Sequence, residues 1–175
     1  KKPLSILFYT KNIYEKIPAK EKFFVSEQIM KKMTGLLSNE GIAALIEMPK
    51  ESDLTKKDFL LVLDHIQDPG NLGTLIRTAL GFSLDGIILT PSSVDYFNDK
   101  VTRASKGCNF LLPYSILKEE EIIKMKDRYS IYLADMHGEN LNRIKFQKPL
   151  LLILGSESHG IGSWAKNLGT PISIP

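Results

Sequence analysis

Hydrophobic and polar positions follow two rhythms along the 175-residue chain. Before residue 50 the apolar runs are short and unevenly spaced. Leu4–Tyr9 reads as a strand and 13–22 as a loop carrying Pro18. Residues 23–37 read as a helix, since Ser26 is a capping type and Val25, Ile29, Met30 and Met33 recur near helical spacing. Gly41–Met48 reads as a second strand. Residues 49–57, PKESDLTKK, then break the pattern with three lysines, a proline and two acids, and 51–58 is assigned as a linker between units 1–50 and 59–175.

From Phe59 onward, runs of strand length alternate with helical patterns. Strands are expected over 59–63, 86–90, 110–116, 131–134, 150–154 and 171–174, and helices over 71–81, 99–106, 118–128 and 162–168. Pro113 makes the third of these strands irregular or an edge. Leu150–Leu154 has no polar position, the signature of a strand covered on both faces. The alternation predicts an α/β fold, a mostly parallel sheet with helices on both faces.

Composition changes this picture little. The apolar fraction, 43%, is ordinary for a globular chain, and 23 basic against 20 acidic residues leave a formal charge of +3. That excess permits a nucleic-acid partner without arguing for one. A single cysteine, Cys108, excludes an intrachain disulfide and agrees with a reducing, cytoplasmic compartment. No apolar run approaches membrane-spanning length and no signal peptide opens the chain, so no membrane association is expected. The chain starts on Lys1 without Met and stops on Pro175 straight after an apparent strand, and both ends are expected to be cut or unobserved.

Candidate chemistry gathers where strands meet turns. The stretch 59–82 runs from an apolar strand through Asp64 and the turn Asp68-Pro69-Gly70-Asn71 into a helix carrying Arg77. Strand, polar turn and helix in succession are where open α/β sheets place ligands. Its glycines fit neither the dinucleotide fingerprint nor a phosphate-binding P-loop. Asn71 and Arg77 are six residues apart, about 600° of helix or 240° net, so they share no face. Asn71 is a turn residue or a helix cap; Arg77 is a projecting site residue or a solvated charge. A second candidate is LLLILGSESHG, 150–160. Ser156-x-Ser158-x-Gly160 resembles a nucleophile elbow, but the only histidine after Ser158 is the adjacent His159 and no acid follows. Asp135, His137 and Glu139 form a conceivable metal cluster, but the histidines (65, 137, 159) lack ligand spacing, and an ordinary polar loop with no metal is expected. Lys100, Arg103 and Lys106 make a modest basic group at helical spacing, suited to phosphate or to solvent. The 118–128 helix reads as a solvated charged face.

Together these segments resemble the SpoU, or TrmH-like, family of RNA 2′-O-ribose methyltransferases. The first family motif is matched by Asp68, Pro69, Asn71, Gly73, Arg77, Thr78 and Ala79, and the second by 152–157 with Gly160 and Ile161. Residues 103–107 with Phe110 and Leu112-Pro113 are similar to the region between them. Where the family usually has Gly after the glutamate, this chain has Ser158-His159, and the third motif is cut after Ile174-Pro175. The resemblance implies a C-terminal trefoil-knot (SPOUT-like) methyltransferase domain over 59–175. Before it, 1–50 would be the end of a small α/β RNA-binding domain. It implies S-adenosylmethionine as methyl donor, held near Gly155 and Ile174 with help from the 133–138 loop, Leu133 and Ala134 included. Arg77 would be catalytic, beside Asn71 and Glu157, with Arg103 and Lys106 toward the RNA. It further implies a homodimer acting on structured RNA, ribosomal ahead of transfer RNA. The alternatives are an inactive RNA-binding module on the same fold and a serine hydrolase using Ser158.

Overall fold

The computed structural model describes residues 4–36 and 38–175, which form two compact units, Lys1–Pro49 and Lys50–Pro175. In the first, β1 (Leu4–Tyr9) lies between β2 (Ala19–Phe24), parallel to it, and β3 (Ile42–Leu45), antiparallel. The expected loop over 13–22 is instead a short 3-10 turn, Asn12–Lys16, followed by β2. AKEKFF hides its strand character because it is an edge strand whose charges point to solvent. Aromatic pairs across the ladder hold it to β1: Phe8 stacks on Phe23 at 5.6 Å and Tyr9 meets Phe24 edge-on at 5.5 Å. Those two phenylalanines therefore belong to β2, and α1 is only Glu27–Thr34. It starts at Ser26, whose side chain accepts the Ile29 N–H, and stops at Gly35 in the left-handed region. Leu37, at the end of the expected helix, lies outside the described residues.

The second unit is built on a parallel sheet. Its strands are β4 (Phe59–Leu63), β5 (Gly86–Leu89), β6 (Tyr114–Ile116), β7 (Ser130–Asn140), β8 (Leu150–Leu154) and β9 (Thr170–Ser173), in the order β6-β5-β4-β8-β7-β9. Side chains alternate across a strand. Leu60 and Val62 pack on one face with Ile122 of α4 (Glu119–Lys124), while Leu61 and Leu63 pack on the other with Leu72, Ile76 and Ala79 of α2 (Pro69–Gly81) and Val101 of α3 (Asp99–Ala104). Both faces are thus covered, which is why β4 and β8 read as unbroken apolar runs. The 51–58 stretch read as a linker packs within this unit. Leu54 is buried in its core, and the Tyr129 hydroxyl reaches the carbonyls of Leu54, Thr55 and Lys57.

Several elements differ from their expected bounds. Residues 162–168 form successive turns rather than a helix, with Ala165 N–H bonded to Gly162 O and Leu168 N–H to Ala165 O. Here the Gly162 amide and the Trp164 indole point at Asp64. The third helix ends at Ala104, before Lys106 and Gly107 turn left-handed at φ 55° and 78°. The expected strand 110–116 shrinks to β6 after a 3-10 turn, and the 118–128 helix becomes α4 followed by a 3-10 turn. β7 runs past Ala134 to Asn140 through an irregularity, so that Ile172 of β9 pairs with both Ala134 and Glu139. Among the described residues no helix is long and apolar enough to cross a membrane.

Candidate active site

The middle of the second sheet is a topological switch point. From β4 the chain steps outward through β5 and β6; β7 to β9 fill the other side, with β8 inserted beside β4. The loops leaving the carboxyl ends of β4 and β8 therefore face one crevice, since Leu63 and Leu154 are in register. After β4, Asp68 caps α2: its side chain accepts the Asn71 N–H at 2.7 Å, and Pro69, which has no amide to lose, takes the first helical turn. The reading of Asn71 as the cap is thus corrected. With Asp68 in that role, the Asn71 side chain is free to donate from Nδ2 to Oε2 of Glu157, a long bond of 3.4 Å.

Glu157 is presented by a tight loop at the end of β8. Ser156 and Gly160 exchange main-chain hydrogen bonds of 3.1 and 2.8 Å, and Gly160 takes φ 66°. A Cβ on Gly155 would stand 2.0 Å from the Gly160 carbonyl carbon, so the loop closes only over a glycine. Ser158 Oγ lies 2.7 Å from His159 Nδ1. No helix follows, however, and the loop is a closed hairpin, so the strand-to-helix elbow that a serine nucleophile needs is not formed. Ile66, Asp68, Asn71, Ser156, Glu157 and Ser158 line a cavity of about 380 Å³. A hollow of about 460 Å³ lies away from these loops, where β7 and β9 begin, with Tyr132, Arg143, Lys145 and Thr170 on its wall.

The other expected site residues distribute as follows. Leu133 is in register with Ile153 and Ala134 with Ile172, so Ala134 lies where β7 stops pairing with β8, while Gly155 and Ile174 follow directly on β8 and β9, with Ile174 85% exposed. Arg77 is exposed on α2, outside the cavity lining, and no ion pair or hydrogen bond engages its guanidinium among the described residues. Arg103 pairs with Asp99 at 2.7 Å and holds that carboxyl below its ordinary range. Lys106 is exposed. Asp135 accepts the His137 N–H at 2.8 Å, and no cluster of three or more possible metal ligands occurs among the described residues. The sequence reading named Asp64 only as the end of an apolar run and did not name Trp164; the two meet beside the loop, where Asp64 Oδ2 accepts from the Trp164 indole at 3.1 Å. The available signal was a charged residue closing an otherwise apolar strand run.

The chain is similar to known proteins. A profile of the SpoU rRNA Methylase family matches residues 58–175. An uncharacterized tRNA/rRNA methyltransferase of Synechocystis sp. is 33% identical over 160 residues, covering 87% of this chain and 58% of the relative. The 23S rRNA (guanosine(2553)-2′-O)-methyltransferase RlmP of Bacillus subtilis is 32% identical over 142 residues, covering 79% of this chain and 57% of that protein. The chain therefore spans a little over half the length of these relatives. The structure of an AdoMet-bound rRNA methyltransferase from Sinorhizobium meliloti superposes with a TM-score of 0.81 at 24% identity, covering 99% of this chain and 71% of the other. With the greater part of its residues inside the profile, the chain belongs to the SpoU rRNA methylase family.

Proposed function

We propose that this protein transfers a methyl group from S-adenosylmethionine to a ribose 2′-hydroxyl of structured RNA, ribosomal RNA ahead of transfer RNA. The observation that carries the reading is the meeting of two loops at the switch point, where Asn71 and Glu157 share a hydrogen bond over one cavity. Family membership and the 2′-O activity named for the Bacillus subtilis relative support it, and the AdoMet bound in the Sinorhizobium meliloti neighbour supports the methyl donor. The residues fit that group. Gly155 leaves bare main chain where a side chain would collide with Gly160, at the end of β8, the strand between β4 and β7. We assign Gly155, Leu133, Ala134 and Ile174 to the cofactor.

Bound there, S-adenosylmethionine supplies a methyl already activated on sulfur. The chain's own tasks are then to orient the ribose, exclude water and remove a proton. Arg77 is the residue for RNA phosphate and for the alkoxide that develops at the 2′-oxygen, because a guanidinium binds oxyanions well and is a poor base. Glu157 is the proton acceptor in this reading, with Asn71 donating to it. Arg103 and Lys106 contact phosphate. Arg77 lies outside the cavity of its own chain, which a site shared across the two-fold interface of a homodimer accounts for. Ile172 pairing on both sides of the 135–138 irregularity, with Gly138 so close that a Cβ would stand 2.4 Å from the Ile172 nitrogen, supports a C-terminal strand threaded as a trefoil knot. The first unit carries eight lysines against five glutamates, whereas the second balances fifteen basic and fifteen acidic residues. The whole formal excess thus lies in residues 1–49, in support of an RNA-binding unit there.

The test is methyl transfer from labelled S-adenosylmethionine to purified ribosomal and transfer RNA, followed by mapping of 2′-O-methyl positions. A single new position in ribosomal RNA is expected. No transfer to either RNA, together with no calorimetric binding of S-adenosylmethionine, overturns the proposal; binding without transfer leaves an inactive RNA-binding module.

A further inference from the structure

Asp64, 4% exposed, is the one charged side chain among the buried described residues. A buried carboxylate is costly unless hydrogen bonds replace its water. Its Oδ2 accepts from the Gly162 N–H at 2.7 Å and from the Trp164 indole N–H at 3.1 Å, both about a hundred residues downstream. Its own backbone N–H donates to the Leu154 carbonyl at 2.8 Å. The chain leaves β8 at Leu154, forms the loop bearing Glu157 and returns at Gly162. One residue therefore holds both ends of that loop, the departure by its main chain and the return by its carboxylate. The fit is close: a Cβ on Gly162 would stand 2.6 Å from Trp164 Cδ1 and 2.9 Å from Asp64 Oδ2.

We infer that Asp64 is a positioning residue for the methyl-transfer site, its carboxylate clasping the Gly155–Gly162 loop in the shape that receives the cofactor and setting Glu157 against Asn71. The inference rests on the function proposed above. A loop fastened before binding spares the ordering cost that a loose loop meets each time a ligand arrives. Trp164 is the single tryptophan of the chain, so its emission reports the clasp directly.

The experiment compares the whole chain with its Asp64→Asn and Asp64→Ala variants. In Asp64→Asn an amide oxygen can take both bonds; in Asp64→Ala both donors are stranded. S-adenosylmethionine affinity is measured by calorimetry below the melting range, alongside Trp164 emission and exchange of the Gly162 amide hydrogen. Asp64→Asn is expected to bind within about threefold of the parent with unchanged emission, and Asp64→Ala to lose about tenfold or more in affinity with red-shifted emission. A purely structural Asp64 would lower the melting temperature of Asp64→Ala and leave affinity in its folded state intact, and that result overturns the inference. Should Asp64→Ala not fold, the parent decides: a protected Gly162 amide is expected, and one exchanging at the rate of open chain overturns the clasp. Failure of the parent to bind S-adenosylmethionine counts against the proposed function instead, and Gly162 protection with retained emission in Asp64→Asn still decides the clasp.

Discussion

In the proposed reaction Arg77 and Asn71 have separate tasks on α2. Asn71 stands in the first turn and meets Glu157, while Arg77 projects from the second turn with no partner among the described residues. Loss of each should therefore read differently. Arg77→Ala should lower kcat by about 10²–10³-fold, the scale of losing one oxyanion donor, and leave S-adenosylmethionine affinity within about twofold by calorimetry. Retained turnover removes Arg77 from the mechanism. Asn71→Ala frees the Glu157 carboxylate and should lower kcat by a smaller factor, on the order of tenfold, through a misplaced acceptor. The motif that holds these residues was legible in the sequence through its match to the family's, whereas spacing alone left Asn71 as a cap and Arg77 as a solvated charge among the open readings. The role of Asp68 was not legible: it shows only when the helix begins at Pro69, two residues earlier than the apolar periodicity suggests. The role of Asp64 was hidden for a related reason, since its partners lie about a hundred residues away.

The elements that carry the site are held by close approach and by capping. A Cβ on Gly73 of α2 would lie 2.4 Å from Ala104 Cβ and 2.8 Å from the Ser105 nitrogen, so α3 leans directly on α2 one turn below Arg77. Gly73→Val should force the two helices apart and cost about 1–3 kcal/mol of stability, the usual range for overpacking, in urea denaturation. An unchanged midpoint would mean the helices are not in contact there. On the opposite face Tyr129 ties the 54–57 segment to the core through its hydroxyl, 2.7 Å from the Lys57 carbonyl. Burial raises the pKa of this phenol above the ordinary value. The folded chain thus holds the phenolic proton more tightly than the unfolded chain. The associated stability is present in full below pH about 10 and falls as pH rises through the folded pKa. Tyr129→Phe should cost about 1–3 kcal/mol at neutral pH and flatten the alkaline part of the stability profile. Strand positions on the sheet were largely legible because both faces are apolar and the period is short. The failures came where polar contacts replaced a helix ladder, as at 162–168, or where an exposed edge strand carried charge, as at 19–24.

At the scale of the whole molecule the two units differ in charge, and that difference has a measurable consequence. The second unit is neutral in formal charge and holds every residue assigned to the cofactor and to chemistry, whereas the first carries the whole formal excess. The two tasks should then separate by ionic strength. Phosphate contacts release counterions, so RNA affinity falls with salt at a log–log slope of about −0.7 to −0.9 per contact, while a pocket for one cofactor should respond weakly. Lys20, Lys22, Lys31 and Lys32 are all exposed on β2 and α1. Reversing Lys31 and Lys32 to Glu, on the exposed surface of a capped helix, should leave the fold intact. RNA affinity should fall at every sequence tested, the salt slope should lose up to about two contacts' worth, and S-adenosylmethionine affinity should not change. Titration of a structured ribosomal RNA fragment across a salt series measures this. A slope equal to the parent's would place the phosphate contacts elsewhere, with Arg103 and Lys106 on the second unit next to be replaced. A loss of cofactor affinity in the same variant would contradict the division of labour itself, because none of these lysines lies in the unit that carries Gly155.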